Sequence, residues 1–275
     1  MKIDFDVSNS KVVEKMKKTL FLDIETSLID ARIFSTGKQY IGIDQTSSKT
    51  KLLTVAGGTM YDLYTKGEAG VWATGNHLYD TFEADPLDDR GILEEIWEKL
   101  DQSDTIVCHN AKFDDGWIKG RFLQEGMPLP SPYKVVCTYR GLSGYSMNSK
   151  KLDYLSETLV GTNKLKTSWS LWDRCSDGEI QAFEELMEYN RGDIYATLFQ
   201  IYLRTAAYYP KKCVDLSVSG ELTCRVTGFP LDVGGVMEKN GLEYMVYKDQ
   251  KHNIYYRDRY NATSKKSGKG YTVPL

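Results

Sequence analysis

The sequence predicts a mixed α/β fold: one sheet flanked by helices, followed by a small β-rich C-terminal appendage. Three observations predict it. Through about residue 209, short apolar runs with strand character alternate with segments whose apolar residues recur at helical spacing. Pro210 closes that pattern, and the short polar and aromatic runs beyond it, rich in Gly, Tyr and Val, read as β-hairpins. The 275 residues, 41% apolar and 12% aromatic, suffice for a proper core, which excludes disorder and a disulfide-stapled miniprotein. The expected division is one domain over 1–210 and a basic, tyrosine-rich appendage over 211–275.

Taken in order, Thr19 to Glu25 is a short apolar run with alternating character, a strand. Residues 51–57 and Gly70 to Ala73 read as further strands separated by Gly-rich turns. From Asp89 to Leu100, helical spacing places Ile92, Leu93, Ile96, Trp97 and Leu100 on one face. Thr105 to Cys108 is a fourth strand, followed by a helix from about Lys112 to Gln124. Met127 to Pro132 holds three of the seven prolines and is a loop. Val135 to Cys137 is a short strand. Helices are expected near Leu152–Leu159 and Asp177–Glu188, the latter continuing or kinking before Asp193–Tyr208. The Lys/Ser/Gly segment Ser264 to Gly270 reads as mobile.

No apolar stretch approaches the roughly 20 residues that span a bilayer, so no membrane partner is expected. Residues 1–18 are polar and lysine-bearing, unlike a signal peptide. Five cysteines form no CxxC pair, and an odd count argues against a secreted disulfide framework. The expected location is cytoplasmic, in a phage or bacterial cell. The formal charge of −3 would ordinarily count against a nucleic-acid partner, but it is unevenly spread. Residues 211–275 carry eleven Lys+Arg against seven Asp+Glu, a net of +4, which leaves −7 for residues 1–210.

Three segments carry the chemistry. In Asp23-Ile-Glu25, residues two apart on a strand face the same way, so both carboxylates project together while Ile24 turns into the core. Two such anions repel unless a cation lies between them, and a divalent metal is the usual solution. In His109-Asn110-Ala-Lys-Phe113-Asp114, the aspartate falls in the first turn of a helix; in isolation that is an ordinary dipole or cap interaction. In Tyr189-Asn-Arg-Gly-Asp193, a spacing of four puts phenol and carboxylate on one helical face if the helix continues through Gly192. Alone, that third motif also fits an exposed helix end.

Together, in this order, the motifs resemble those of the DEDD 3′–5′ exonucleases, a family with a ribonuclease H-like (DnaQ-like) fold. The resemblance covers about residues 19–209. It lies in Asp23-x-Glu25, Asn110-x-x-x-Phe113-Asp114 and Tyr189-x-x-x-Asp193, with Lys151 to Leu155 similar to the helix that precedes the third motif. A tyrosine rather than a histidine in that motif resembles the tyrosine subclass. The resemblance implies a hydrolase acting on single-stranded 3′ ends and releasing nucleoside 5′-monophosphates. It implies two divalent cations, Mg²⁺ or Mn²⁺, held by Asp23, Glu25, Asp114 and Asp193. Asp23 would bridge both metals, Glu25 and Asp193 would complete the site of the attacking water, and Asp114 would support the second metal. The phenol of Tyr189, with an ordinary pKa of about 10, would orient the water rather than deprotonate it.

Thr26 and Leu28 are candidate contacts for the terminal nucleotide or ordinary strand-end residues. Asn110 is a candidate substrate contact, with a turn-forming role favoured. Phe113 is expected as a core anchor, His109 as structural, and Arg121 and Lys119 as solvated helix exterior rather than phosphate ligands. Cys137 stands where relatives often have Asp. The substrate is expected to be single-stranded DNA, with RNA also open, since the choice rests on contacts to the 2′ position. No polymerase domain is expected, so proofreading would need a replication or repair partner. Two other readings are a nucleic-acid- or partner-binding module on an inactive nuclease fold, and a different ribonuclease H-like activity such as endonuclease or strand transfer.

The appendage offers little for zinc. Cys213 has Leu216 where a CxxC partner belongs, Cys224 is isolated, and His252 would supply only a third ligand of the four a closed site needs. Zinc is not expected, and ribbon-like hairpins without metal are the admissible guess. Between Lys239 and Lys269, eight cations are interleaved with Tyr244, Tyr247, Tyr255, Tyr256 and Tyr260. That composition suits a single-strand binding surface, and equally a solvated hairpin with cross-strand tyrosine pairs.

Overall fold

The computed structural model describes residues 2–33, 40–73, 85, 87–162, 165–268 and 272–275. The first sheet has five strands in the order β3-β2-β1-β4-β5. They are β1 (Thr19–Thr26), β2 (Leu52–Thr59), β3 (Gly70–Ala73), β4 (Thr105–Cys108) and β5 (Lys134–Cys137). The β1–β2 and β2–β3 pairs are antiparallel, while β1–β4 and β4–β5 are parallel. Helices flank this mixed sheet, and a separate antiparallel sheet of four strands lies in the C-terminal region, as the composition and patterning predict.

The alternation in β1 sorts its side chains between two cores. Leu20, Leu22 and Ile24 pack with Ile92, Leu93 and Ile96 of α3 (Arg90–Asp101) and with Ile118 and Phe122 of α4 (Asp114–Gln124). Phe21 points to the other face, toward Phe199 and Tyr202, whose rings meet it edge-on at 5.2 and 5.3 Å. Asp23 and Glu25 follow Phe21 on that face by the period of two.

Several elements depart from the expectations. α1 (Ser10–Lys17), capped by the Asn9 side chain, lies in the polar start, where two buried residues, Val12 and Met16, are its whole inward face. α2 (Met60–Thr65) directly follows β2 where Gly-rich turns were expected. Farther along, α5 (Thr138–Gly141) and α7 (Trp169–Ser176) are further additions, while α6 (Leu152–Leu155) falls within the helix expected near Leu152–Leu159 and α8 (Ile180–Gly192) near that expected at Asp177–Glu188. The last helix runs on through Gly192 into a π-helical turn, Asp193–Phe199, and then α9 (Gln200–Thr205).

The second sheet comprises β6 (Asp232–Lys239), β7 (Leu242–Asp249), β8 (Ile254–Asp258) and β9 (Thr272–Pro274). Asn240 and Gly241 turn β6 into β7 with φ of 53° and 72°, the left-handed pair a two-residue hairpin requires. The N-terminal residues tie this sheet to the body. The amide of Ile3 donates to the Leu203 carbonyl at 2.9 Å, that of Asp6 to Thr227 at 2.9 Å, and that of Asp4 to Nε2 of His252 at 3.2 Å. Ile3, Phe5, Val12, Ile201, Cys213, Cys224 and Tyr256 therefore belong to one core across residue 210.

Candidate metal centre

Each carboxylate is delivered by a different local device. Asp23 and Glu25 come from the end of β1, where β2 continues to pair but the β4 register ends at Phe21 opposite Val107. That divergence opens a gap beside Ile24. The chain leaves β4 at Cys108, reverses through Asn110 in a left-handed conformation (φ 63°), and enters α4 at Asp114. Asn tolerates that conformation better than other side chains, and its carbonyl accepts from the Phe113 amide at 2.8 Å. Asp114 thereby enters the gap and accepts a hydrogen bond from the Ile24 backbone amide.

Asp193 arrives from the opposite side, at the junction of α8 and the π-helical turn. Ligand oxygens of Asp23, Glu25 and Asp193 all lie within 4.8 Å of one another. At an effective dielectric near 20, each such pair of ionised carboxylates repels by about 3–4 kcal/mol, repulsion that a cation between them would offset. Asp114 is not one of these three. It lies at the neighbouring position, 2% exposed, and burial, largest among the causes, pushes its carboxyl up to about 7. Its Oδ2 atom has no hydrogen-bond partner among the described residues. The donors are all carboxylate oxygens, a set that suits hard divalent cations, and the unpartnered Oδ2 of Asp114 is a further oxygen beside them; the residues present fit a divalent metal.

One residue of the site was not singled out from the sequence. Asn190, fully buried, donates from Nδ2 to Oδ2 of Asp23 at 2.7 Å and accepts from the Thr54 hydroxyl at 3.0 Å. Thr54 pairs with Glu25 across the β1–β2 ladder, so Asn190 clamps the Asp23 carboxylate against the strand that carries its neighbour. The signal was its place between Tyr189 and Asp193, three residues before Asp193 and so on its helical face.

The remaining candidates divide. Thr26 and Leu28 line a depression of about 420 Å³ with Glu25, Phe113, Trp169 and Trp172. Tyr189 packs edge-on against Trp172, with ring centroids 6.0 Å apart, so one tryptophan links the phenol to the wall of that depression. Phe113 is a correction: it is 42% exposed rather than a core anchor, because α4 buries the face that carries Asp114, Ile118, Arg121 and Phe122. Arg121 is a second. It is buried, not solvated, and grips Asp89 with two hydrogen bonds of 2.8 Å while also meeting Glu125. His109 is structural as expected, bridging Thr138 and the Lys150 carbonyl at 2.8 Å each.

No protein-family model matches the chain, and no curated protein matches it. Solved structures similar to part of it include two of one enzyme. The crystal structure of Trypanosoma brucei RNase D is 10% identical with a TM-score of 0.40, over 71% of this chain and 60% of that one. The same enzyme in complex with RNA U12 is 11% identical with a TM-score of 0.38, over 71% and 58%. The chain thus aligns with less than two thirds of either structure's length.

In the C-terminal region, Cys213 Sγ contacts the Pro210 and Val214 carbonyls and Cys224 Sγ meets the Tyr256 hydroxyl at 3.2 Å. His252 is held by Asp249 and the Asp4 amide. Tyr247 and Tyr256 form a buried cross-strand pair, so neither offers a face to a base. The other three tyrosines each have a cation over the ring: Arg257 on Tyr244, Lys248 on Tyr255 and Lys266 on Tyr260. Lys269 and Gly270 lie outside the described residues. Among the described residues no helix is long and apolar enough to cross a membrane.

Proposed function

We propose that the chain is a divalent-metal-dependent 3′–5′ exonuclease of the DEDD tyrosine type, acting on single-stranded nucleic-acid ends. The observation that carries the reading is the convergence of Asp23, Glu25 and Asp193 within 4.8 Å, beside the buried, under-coordinated Asp114. Three of the four carboxylates of the sequence motifs converge there, and the fourth, Asp114, accepts from the Ile24 amide between Asp23 and Glu25. All four are present, which counts against an inactive nuclease fold.

Asp23, Glu25, Asp114 and Asp193 would hold Mg²⁺ or Mn²⁺. Bound there, such ions acidify water and stabilise charge on the transferring phosphoryl and the departing oxygen. The chain's own residues do the rest. Asn190 fixes the Asp23 carboxylate. Trp172 supports Tyr189, whose phenol orients the attacking water by a hydrogen bond. Thr26 and Leu28, with the exposed Phe113 and Trp169, form a depression beside Glu25 able to receive a terminal nucleoside. Single-stranded DNA is the proposed substrate, with RNA the alternative outcome of the digestion assay, and a replication or repair protein the proposed partner in a phage or bacterial cytoplasm.

Asp23→Ala and Asp193→Ala test the reading. Each should abolish Mg²⁺- or Mn²⁺-dependent release of 5′-mononucleotides while leaving the circular-dichroism spectrum unchanged. Full activity in either variant sinks the proposal.

A further inference from the structure

Three depressions lie side by side and share walls. The first, about 420 Å³, contains Glu25 and is bounded by Phe113. Phe113 also walls the second, about 500 Å³, together with Trp117 and Lys112. Lys112 in turn walls the third, about 440 Å³, where Lys134, Arg140 and Lys212 join it. From Glu25 outward, the shared lining residues therefore place in succession two aromatic rings, set edge-on at 6.4 Å, and a cluster of four cations.

That cluster runs against the charge of its surroundings, since residues 1–210 carry a net of −7. The one carboxylate in its lining, Asp115, is already engaged by Lys119 at 2.9 Å and the Tyr133 hydroxyl at 2.7 Å. Lys134 is partly enclosed and donates to the Cys213 carbonyl at 3.2 Å; burial and the nearby Arg225 hold its pKa below the usual lysine range. Lys212 reaches the Arg140 carbonyl and the Ser143 hydroxyl, which steers it toward the same cleft. An anion placed there would meet four cationic side chains in one lining.

We propose that the Lys112–Lys134–Arg140–Lys212 cleft is a phosphate-binding subsite for a single nucleic-acid strand, with Phe113 and Trp117 as base platforms between it and the carboxylate centre. Aromatic faces interleaved with cations along a groove are what a flexible strand needs, and a phosphorylated peptide would make no use of the rings. The assignment of the strand's 3′ end to the carboxylates rests on the exonuclease reading; the binding does not. The cleft also moves the expected attraction away from the appendage hairpins, although it recruits Lys212 from residues 211–275.

The test is fluorescence anisotropy with a 5′-labelled 12-nucleotide single strand in EDTA, where no metal-dependent cleavage competes. For Arg140→Ala/Lys212→Ala, binding should weaken about 10- to 30-fold at 0.1 M salt, and the salt slope should flatten by about 1.4, at roughly 0.7 per phosphate contact. Lys112→Gln, at an exposed position, should flatten it by about 0.7. Lys239→Ala/Lys265→Ala in the appendage should change neither quantity. Unchanged affinity and slope in both cleft variants, or loss in the appendage variant instead, overturns the proposal. Parallel digestion with Mg²⁺ or Mn²⁺ separates the two claims. A wild-type protein that binds through the cleft but degrades nothing removes the exonuclease and keeps the cleft; one that degrades strands while the cleft variants bind normally does the reverse.

Discussion

At the scale of single residues, the site turns on the Thr54–Asn190–Asp23 chain of hydrogen bonds. Removing the amide leaves the Thr54 hydroxyl buried without its acceptor and frees Asp23 to turn away from Glu25. Groups that orient metal ligands are typically worth 10- to 100-fold in affinity or activity. Asn190→Ala should therefore raise the Mn²⁺ concentration for half-maximal nuclease activity by about 10- to 100-fold; an unmoved activation curve would show that Asp23 needs no such clamp. Strand periodicity put Asp23 and Glu25 on one face, whereas Asp114 and Asp193 were singled out by the resemblance to the exonuclease motifs and not by periodicity. Asn190 was not legible, because its partner lies 167 residues away and only the packing of α8 on β2 brings them together. Phe113 misled for a related reason: its apolar character suggested burial, but α4 turns its other face inward.

At the scale of elements, α4 must be held at a fixed angle if Asp114, its first residue, is to enter the gap beside Ile24. Arg121 lies two turns along the same buried face and is tied to Asp89, which precedes α3 and also accepts from the Leu52 amide at 2.9 Å. One carboxylate thus fastens α3, α4 and the start of β2. Burial alone would raise the Asp89 carboxyl, but the Arg121 guanidinium and the Leu52 amide outweigh it and hold its pKa below 3.8. The folded value is depressed, so this contribution is complete above the unfolded value and is lost as pH falls through the folded one. Urea melts should show an acid loss of stability beginning below about pH 4 that Asp89→Asn lacks. At pH 7, Asp89→Asn should cost up to about 3–5 kcal/mol, because the buried Arg121 loses its two bonds to the Asp89 carboxylate and keeps only Glu125 and Gln124. A loss under about 1 kcal/mol would remove the fastening role. The sequence placed α3 and α4 within a few residues, yet it could not reveal that an arginine on a helix with charged neighbours points inward.

For the whole molecule, the second sheet is built into the body. Gly228 makes the contact visible: at φ 80° it lies so close to Val12 of α1 that an added Cβ would fall 2.7 Å from a valine methyl. The core that contains Ile3, Phe5 and Val12 continues through Cys213 and Val226 to Tyr256. Burying each such large apolar side chain contributes about 1.5–3 kcal/mol, against a typical total stability of roughly 5–15 kcal/mol. A chain ending at residue 210 should therefore fail to give a cooperative thermal transition. A sharp transition within a few degrees of the full chain would contradict a shared core. The sequence pattern showed the change of style at Pro210, but a pattern change marks a change of secondary structure and carries no information on which surfaces meet across it.

The central claim is that the carboxylates of β1, α4 and the π-helical turn form a phosphodiester-cleaving centre that works from the 3′ end. Digestion of 5′-labelled linear and circular single strands with Mg²⁺ or Mn²⁺ tests it most directly, with Asp23→Ala alongside. The account predicts a ladder of progressively shorter labelled linear strands, an intact circle, and no cleavage by the variant. Cleavage of the circle, or a ladder that persists in Asp23→Ala, would contradict it.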